Sequence, residues 1–147
     1  MQSKLLDKSA GRATYAIVLE TGDEVLSILR HFVDGKEVSA AQFSAIGAFS
    51  DAELKYFDWE AKTYRTIPVE EQVEVASLIG DVAIAPDGSR ALHIHAVLGR
   101  RDGSALAGHL GKAHVRPTLE IVLTESPVHL RKKHDPETGL ALIRMEG

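Results

Sequence analysis

Residues 85–111, APDGSRALHIHAVLGRRDGSALAGHLG, restrict the fold more than any other stretch, because an alternating run lies between two Asp-Gly pairs. Asp87-Gly88 and Asp102-Gly103 are tight-turn signals: glycine supplies the positive φ such turns need, and aspartate bonds locally to the backbone. Between them, residues 91–98 read as a strand, with Leu92, Ile94, Ala96 and Leu98 on one face and His93, His95 and Val97 on the other. Turns at both ends predict antiparallel neighbours. The apolar face is complete without the histidines, so these line a cleft or an interface.

The remaining chain carries one helix pattern among many short strand patterns. TYAIVLETGDEV reads as a strand from Thr14 to Leu19, then a turn at Thr21-Gly22-Asp23, with Asp23 placed to cap a helix. Val25, Leu26, Leu29, Phe32 and Val33 then recur at helical spacing, and Gly35 stands where a helix commonly ends. QFSAIGAFSDAELKYFDW, KTYRTIPVEE and VEVASLIGDVAIAP have short-strand texture, FDWEAKTYR reads as a hairpin, and DPETG is a turn between the last strand-like runs. The expectation is an α+β domain, mostly antiparallel, with one main amphipathic helix and a sheet curling toward a barrel or sandwich. No repeat or linker divides it, so residues 1–147 are read as a single domain.

Composition narrows the chemistry. There is no cysteine, so a metal site has to be built from imidazole and carboxylate. No apolar run approaches the roughly 18–20 residues of a membrane span, and the start, MQSKLLDKSAGRATYAIVLE, lacks the pattern of a secretory signal. The expected location is cytoplasmic. A net charge of −4 does not favour binding to a phosphate backbone. The densest basic cluster, RKKH at 131–134, reads as a solvated strand end or turn.

His93 and His95 share a strand face, and the Asp102-Gly103 turn can bring His109, between Gly108 and Gly111, back beside them. Three imidazoles with one open position suit zinc. The competing reading is three unrelated histidines. His31 lies near the helix end, where a cationic imidazole suits the dipole, and His114, His129 and His134 read as surface or packing residues. In PTLEIVLTE, Glu120 falls on the face opposite Leu119, Ile121 and Leu123. It is either an exposed or ion-paired carboxylate, with Arg116 a possible partner, or one facing the histidine cleft to orient a ligand or move a proton. No residue reads as catalytic from a motif.

The order SAIGAFSDAELKYFDWEAKTY, EVASLIGDVAIAPDGSRALHIHAVLGRRDGSALAGHL, TLEIVLTE resembles the plant and prokaryote conserved (PPC, or DUF296) domain over residues 14–145. The resemblance rests most on LHIHAVLGRRDG, AGHL and the IGAF segment around Gly47. It implies an α+β fold with an antiparallel sheet, assembly as a homotrimer, and a metal site of His93, His95 and His109 in stand-alone prokaryotic members. Ala107-Gly108 stands where the family often has a glycine pair, which bears on how closely that loop packs. The basic AT-hook elements that precede this domain in plants are absent here, so a DNA-binding role would be an analogy of fold.

Two classes of function follow. One is a trimeric domain binding a divalent metal, zinc expected, with a small-molecule ligand or hydrolase or lyase chemistry at the open position. The other is a non-catalytic regulatory or DNA-associated assembly module.

Overall fold

Two hairpins of the same construction set the centre of the sheet. In the computed structural model, which describes residues 1–145, Ala85 N donates to Ser89 O and Gly88 N to Ala85 O. Arg100, Ser104 and Gly103 repeat that pattern. Gly88 and Gly103 sit at φ 88° and 84°, the left-handed position that closes a three-residue loop.

The element order is β1 (Gln2–Ser9), β2 (Arg12–Glu20), α1 (Val25–Gly35), β3 (Ala41–Asp58), β4 (Thr63–Val69), β5 (Val73–Ile84), β6 (Arg90–Gly99), β7 (Ala105–Glu125), β8 (Lys132–His134) and β9 (Ala141–Ile143). The main sheet runs β1-β2-β7-β6-β5-β3-β4, and β7 pairs with β3 as well. That extra pairing closes β3, β5, β6 and β7 on one another, giving the barrel-like α+β fold expected. β8 and β9 form a separate two-stranded sheet, tied to the end of β5 by a parallel bridge between Ile84 and Arg131.

Helix α1 packs Val25, Leu29, Phe32 and Val33 inward, beside fully buried Ile17, Leu19, Phe49, Leu98 and Leu119. Burying a side chain of this size stabilises by about 1.5–3 kcal/mol. The cap is Glu24, one residue later than expected: its carboxylate accepts from Leu26 N at 3.2 Å and Ser27 N at 2.8 Å. Asp23 instead accepts from Glu20 N at 3.0 Å and pairs with the N-terminal amine at 3.2 Å, closing the preceding turn. β1 leaves every residue exposed. It follows no alternation that burial would impose, and sequence patterning did not pick it out.

Candidate metal centre

Register assembles the site. Across β6 and β7, His95 stands opposite His109; across β5 and β6, Asp81 stands opposite His93. Opposed residues of an antiparallel pair share a face with Cβ atoms about 4.5–5.5 Å apart. Two tight turns therefore deliver three imidazoles and one carboxylate to a single patch.

Their ligating nitrogens all lie within 4.8 Å of one another, and His93 Nε2 is 3.1 Å from His95 Nε2. Ring centroids are 5.0 Å apart for His93 and His95, 5.3 Å for His93 and His109, and 5.5 Å for His95 and His109. Nitrogens held about 2.0–2.1 Å from one tetrahedral zinc are roughly 3.4 Å apart. The separations here, 3.1 Å for one pair and no more than 4.8 Å for the rest, bracket that value.

His109 Nδ1 is buried and has no hydrogen-bond partner, so one nitrogen of this ring gains nothing from the protein around it. Burial, followed by the neighbouring charges of His93, His95, Lys55 and Lys132, pushes the His109 pKa down to about 4. Burial and then the charge of His93 also lower that of His95, with Asp81 opposing. Both rings are thus neutral near pH 7, the form that ligates a metal.

The same shift sets a pH dependence for the metal-free protein. The unfolded chain takes up this proton near the ordinary value of 6.5, the folded one only near 4, so stability falls as pH drops through that window. Thermal melts of metal-free protein are expected to show a lower Tm at pH 5 than at pH 7. His109→Gln should flatten the difference; an equal pH response in the variant would contradict this assignment.

Asp81 is the site residue that sequence reasoning missed. Its Oδ2 lies 3.4 Å from His93 Nδ1, where a carboxylate fixes the ring so that Nε2 faces the cluster. A signal did exist: Asp81 is a lone carboxylate in the apolar run SLIGDVAIAP, and counting back from the Asp87-Gly88 turn puts it opposite His93. Asp81→Asn is expected to weaken metal binding about 10–100-fold, measured by chelator competition. Glu120→Gln, as the comparison, should leave it unchanged.

Glu120 is exposed on β7 and pairs with Val18 and Ile46. It borders a shallow cleft with Ser44, Ser77 and Val122. The cavity of about 710 Å³ beside His93 and His95 is lined instead by Gln42, Ser44, Ile79, Asp81, Val122 and Thr124. The structure therefore brings His93, His95 and His109 together and places Glu120 on the neighbouring part of the face.

A Cβ on Gly108 would meet the Lys55 carbonyl oxygen at 2.9 Å, so this glycine permits the close approach of β7 to β3 next to His109. Ala107 is exposed, and its methyl group is accommodated. The Tyr64 ring lies 5.2 Å from His109. Of the other histidines, His114 Nδ1 is 2.8 Å from Asp51 Oδ1 and His129 Nδ1 is 2.6 Å from Ser39 Oγ; both pack away from the cluster. His31 is exposed on α1, and His134 is exposed in β8.

A barrel-like domain thus presents three convergent imidazoles, with a carboxylate beside one of them, in an arrangement that could hold a metal ion. The Plants and Prokaryotes Conserved (PCC) domain profile matches residues 7–127, and the chain belongs to that family. A plant- and prokaryote-conserved protein from Pyrococcus horikoshii is 29% identical over 99% of this chain and 96% of its own, with TM-score 0.84. A metal-containing protein from Archaeoglobus fulgidus is 30% identical over 98% and 97%, with TM-score 0.82. A candidate DNA-binding protein from Bacteroides thetaiotaomicron is 27% identical over 94% of each chain, with TM-score 0.83. No curated protein matches.

Proposed function

We propose that this chain is a cytoplasmic, homotrimeric metal protein that holds one zinc ion through His93, His95 and His109. The observation that carries the reading is the convergence of three imidazole nitrogens within 4.8 Å, with protonation of His95 and His109 disfavoured by burial and neighbouring charge. Three imidazole donors with an open fourth position are a known zinc arrangement, and imidazole also suits copper, iron and nickel. The metal-containing relative supports the same reading. No helix among the described residues is long and apolar enough to cross a membrane.

Assembly is supported by the outward sheet face beside the site, where Ile46, Ile79 and Val122 are 63%, 60% and 48% exposed. An apolar surface of this kind is a usual mark of an interface. Bound zinc would lower the pKa of a coordinated water toward about 7. Asp81 holds His93 in its ligating orientation, and the cavity lined by Gln42, Ser44 and Thr124 offers polar groups to a small ligand. Among the described residues the carboxylate beside the histidines is Asp81, whereas Glu120 borders a different cleft.

The test is elemental analysis of untagged protein after zinc loading and desalting, combined with sedimentation. One zinc per chain and a mass three times the 16.0 kDa chain are expected; metal-free protein would overturn the metal reading, and a monomer the assembly.

The second reading, a DNA-associated module, is favoured by relatives described as candidate DNA-binding proteins and opposed by the net charge of −4. Titration with a random duplex at two salt concentrations separates them, since binding through phosphates weakens steeply as salt rises.

A further inference from the structure

The β8–β9 hairpin lies beyond the residues 7–127 matched by the family profile, yet it reaches the metal centre. Ile84 N donates to Leu130 O at 2.8 Å and Arg144 N to Arg131 O at 3.1 Å. Asp135 accepts from Thr138 Oγ1 at 2.8 Å and from Arg144 Nη2 at 2.6 Å. The first of these bonds ties the hairpin to the end of β5, three residues from Asp81, and the others brace the hairpin itself.

Lys132 follows directly. Its Nζ lies 3.9 Å from Asp81 Oδ1, and its side chain is 9% exposed. An ammonium carries three donors and no acceptor, and burying one is costly unless those donors are used. A separation of 3.9 Å is too long for a hydrogen bond, and Asp81 Oδ1 is itself buried without a hydrogen-bond partner. Lys132 thus sets its ammonium at the edge of the histidine cluster on a mostly buried side chain, near Asp81 but not hydrogen-bonded to it. Lys55, opposite His109 on β3, is already engaged by Glu53 at 3.4 Å.

Charge balance points the same way. Three neutral imidazoles leave the two charges of a divalent ion uncompensated, Asp81 being matched by Lys132 and Glu53 by Lys55. A ligand at the open position gains most if it brings negative charge and an oxygen that Lys132 can reach.

Resting on the metal-centre reading, we propose that Lys132 is an anion-recognition residue: the open position takes a small ligand bearing a carboxylate or phosphate group, one oxygen on the metal and another accepting from Lys132 Nζ. The substrate or effector class is then a small oxyanion-bearing metabolite, and the C-terminal hairpin is part of its binding site.

The experiment titrates zinc-loaded protein by calorimetry with inorganic phosphate and, separately, with imidazole, a neutral metal ligand. Lys132→Met and Lys132→Arg are run alongside, with zinc content measured on the same samples. Lys132→Met is expected to keep one zinc and its imidazole affinity while losing about 10–100-fold in phosphate affinity, the range of one charge-assisted hydrogen bond. Lys132→Arg should keep phosphate affinity within a few fold. Equal phosphate affinity in wild type and Lys132→Met, or no phosphate binding by zinc-loaded wild type, would overturn this inference and leave the metal centre standing. Loss of zinc from Lys132→Met would show that the lysine acts on the metal through Asp81, which also overturns it. A wild type that takes up no zinc would instead remove the metal reading and this inference with it.

Discussion

His109→Ala is expected to weaken zinc binding by more than about 100-fold, measured by competition with a chelator. Losing a residue that merely supports a ligand costs about 10–100-fold, and in the proposed centre His109 is itself a ligand, the one on β7 that closes the triangle begun by His93 and His95. The effect should also appear in stability. At free zinc 100 times the wild-type Kd, binding stabilises the folded state by about 2.7 kcal/mol, and a site 100-fold weaker gains about 0.4 kcal/mol. The zinc-induced rise in Tm seen for wild type should therefore nearly vanish in the variant. Metal-free, the variant should be little destabilised, because it removes a buried nitrogen that had no partner. An undiminished zinc response would exclude His109 from the site.

Gly47→Ala is expected to destabilise the fold by about 2–3 kcal/mol, a large share of the roughly 5–15 kcal/mol that holds a domain of this kind together. A Cβ there would lie 2.1 Å from the Thr118 carbonyl oxygen and 2.8 Å from Leu119 Cα. Both are backbone atoms of β7, so no side-chain rotation relieves the clash, and β3 and β7 have to separate at the pairing that closes the barrel. Chemical denaturation measures the change. A midpoint within error of wild type would mean that the two strands part without cost.

The histidine site could be read from sequence because both of its hairpins are local: each Asp-Gly turn sets a register that alternation then carries outward. That reasoning brought His109 back beside His93 and His95; its pairing opposite His95 comes from the structure. It stopped short of Asp81, which needed the first hairpin counted in the other direction. Glu120 was placed on the outward face, where it lies, but its strand neighbours were not foreseeable. β7 is a single long strand whose first part, up to His109, pairs with β6, while the part bearing Glu120 runs between β2 and β3.

Strand order of that kind is set by tertiary closure, and nothing in the spacing of one segment encodes it. Lys132 shows the same limit. RKKH reads as a solvated cluster on charge alone, yet the hairpin folds back and leaves this lysine 9% exposed. The helix was recognised from its buried stripe, while its cap fell one residue away, because Asp23 and Glu24 are both capable and the turn takes the first of them.

X-ray absorption at the zinc edge of the zinc-loaded protein tests the central claim most directly. The predicted spectrum has three imidazole nitrogens at about 2.0–2.1 Å, with outer-ring scattering and no sulfur, and His93→Ala should reduce that imidazole count. A shell of oxygens with one imidazole or none would contradict a centre built from His93, His95 and His109.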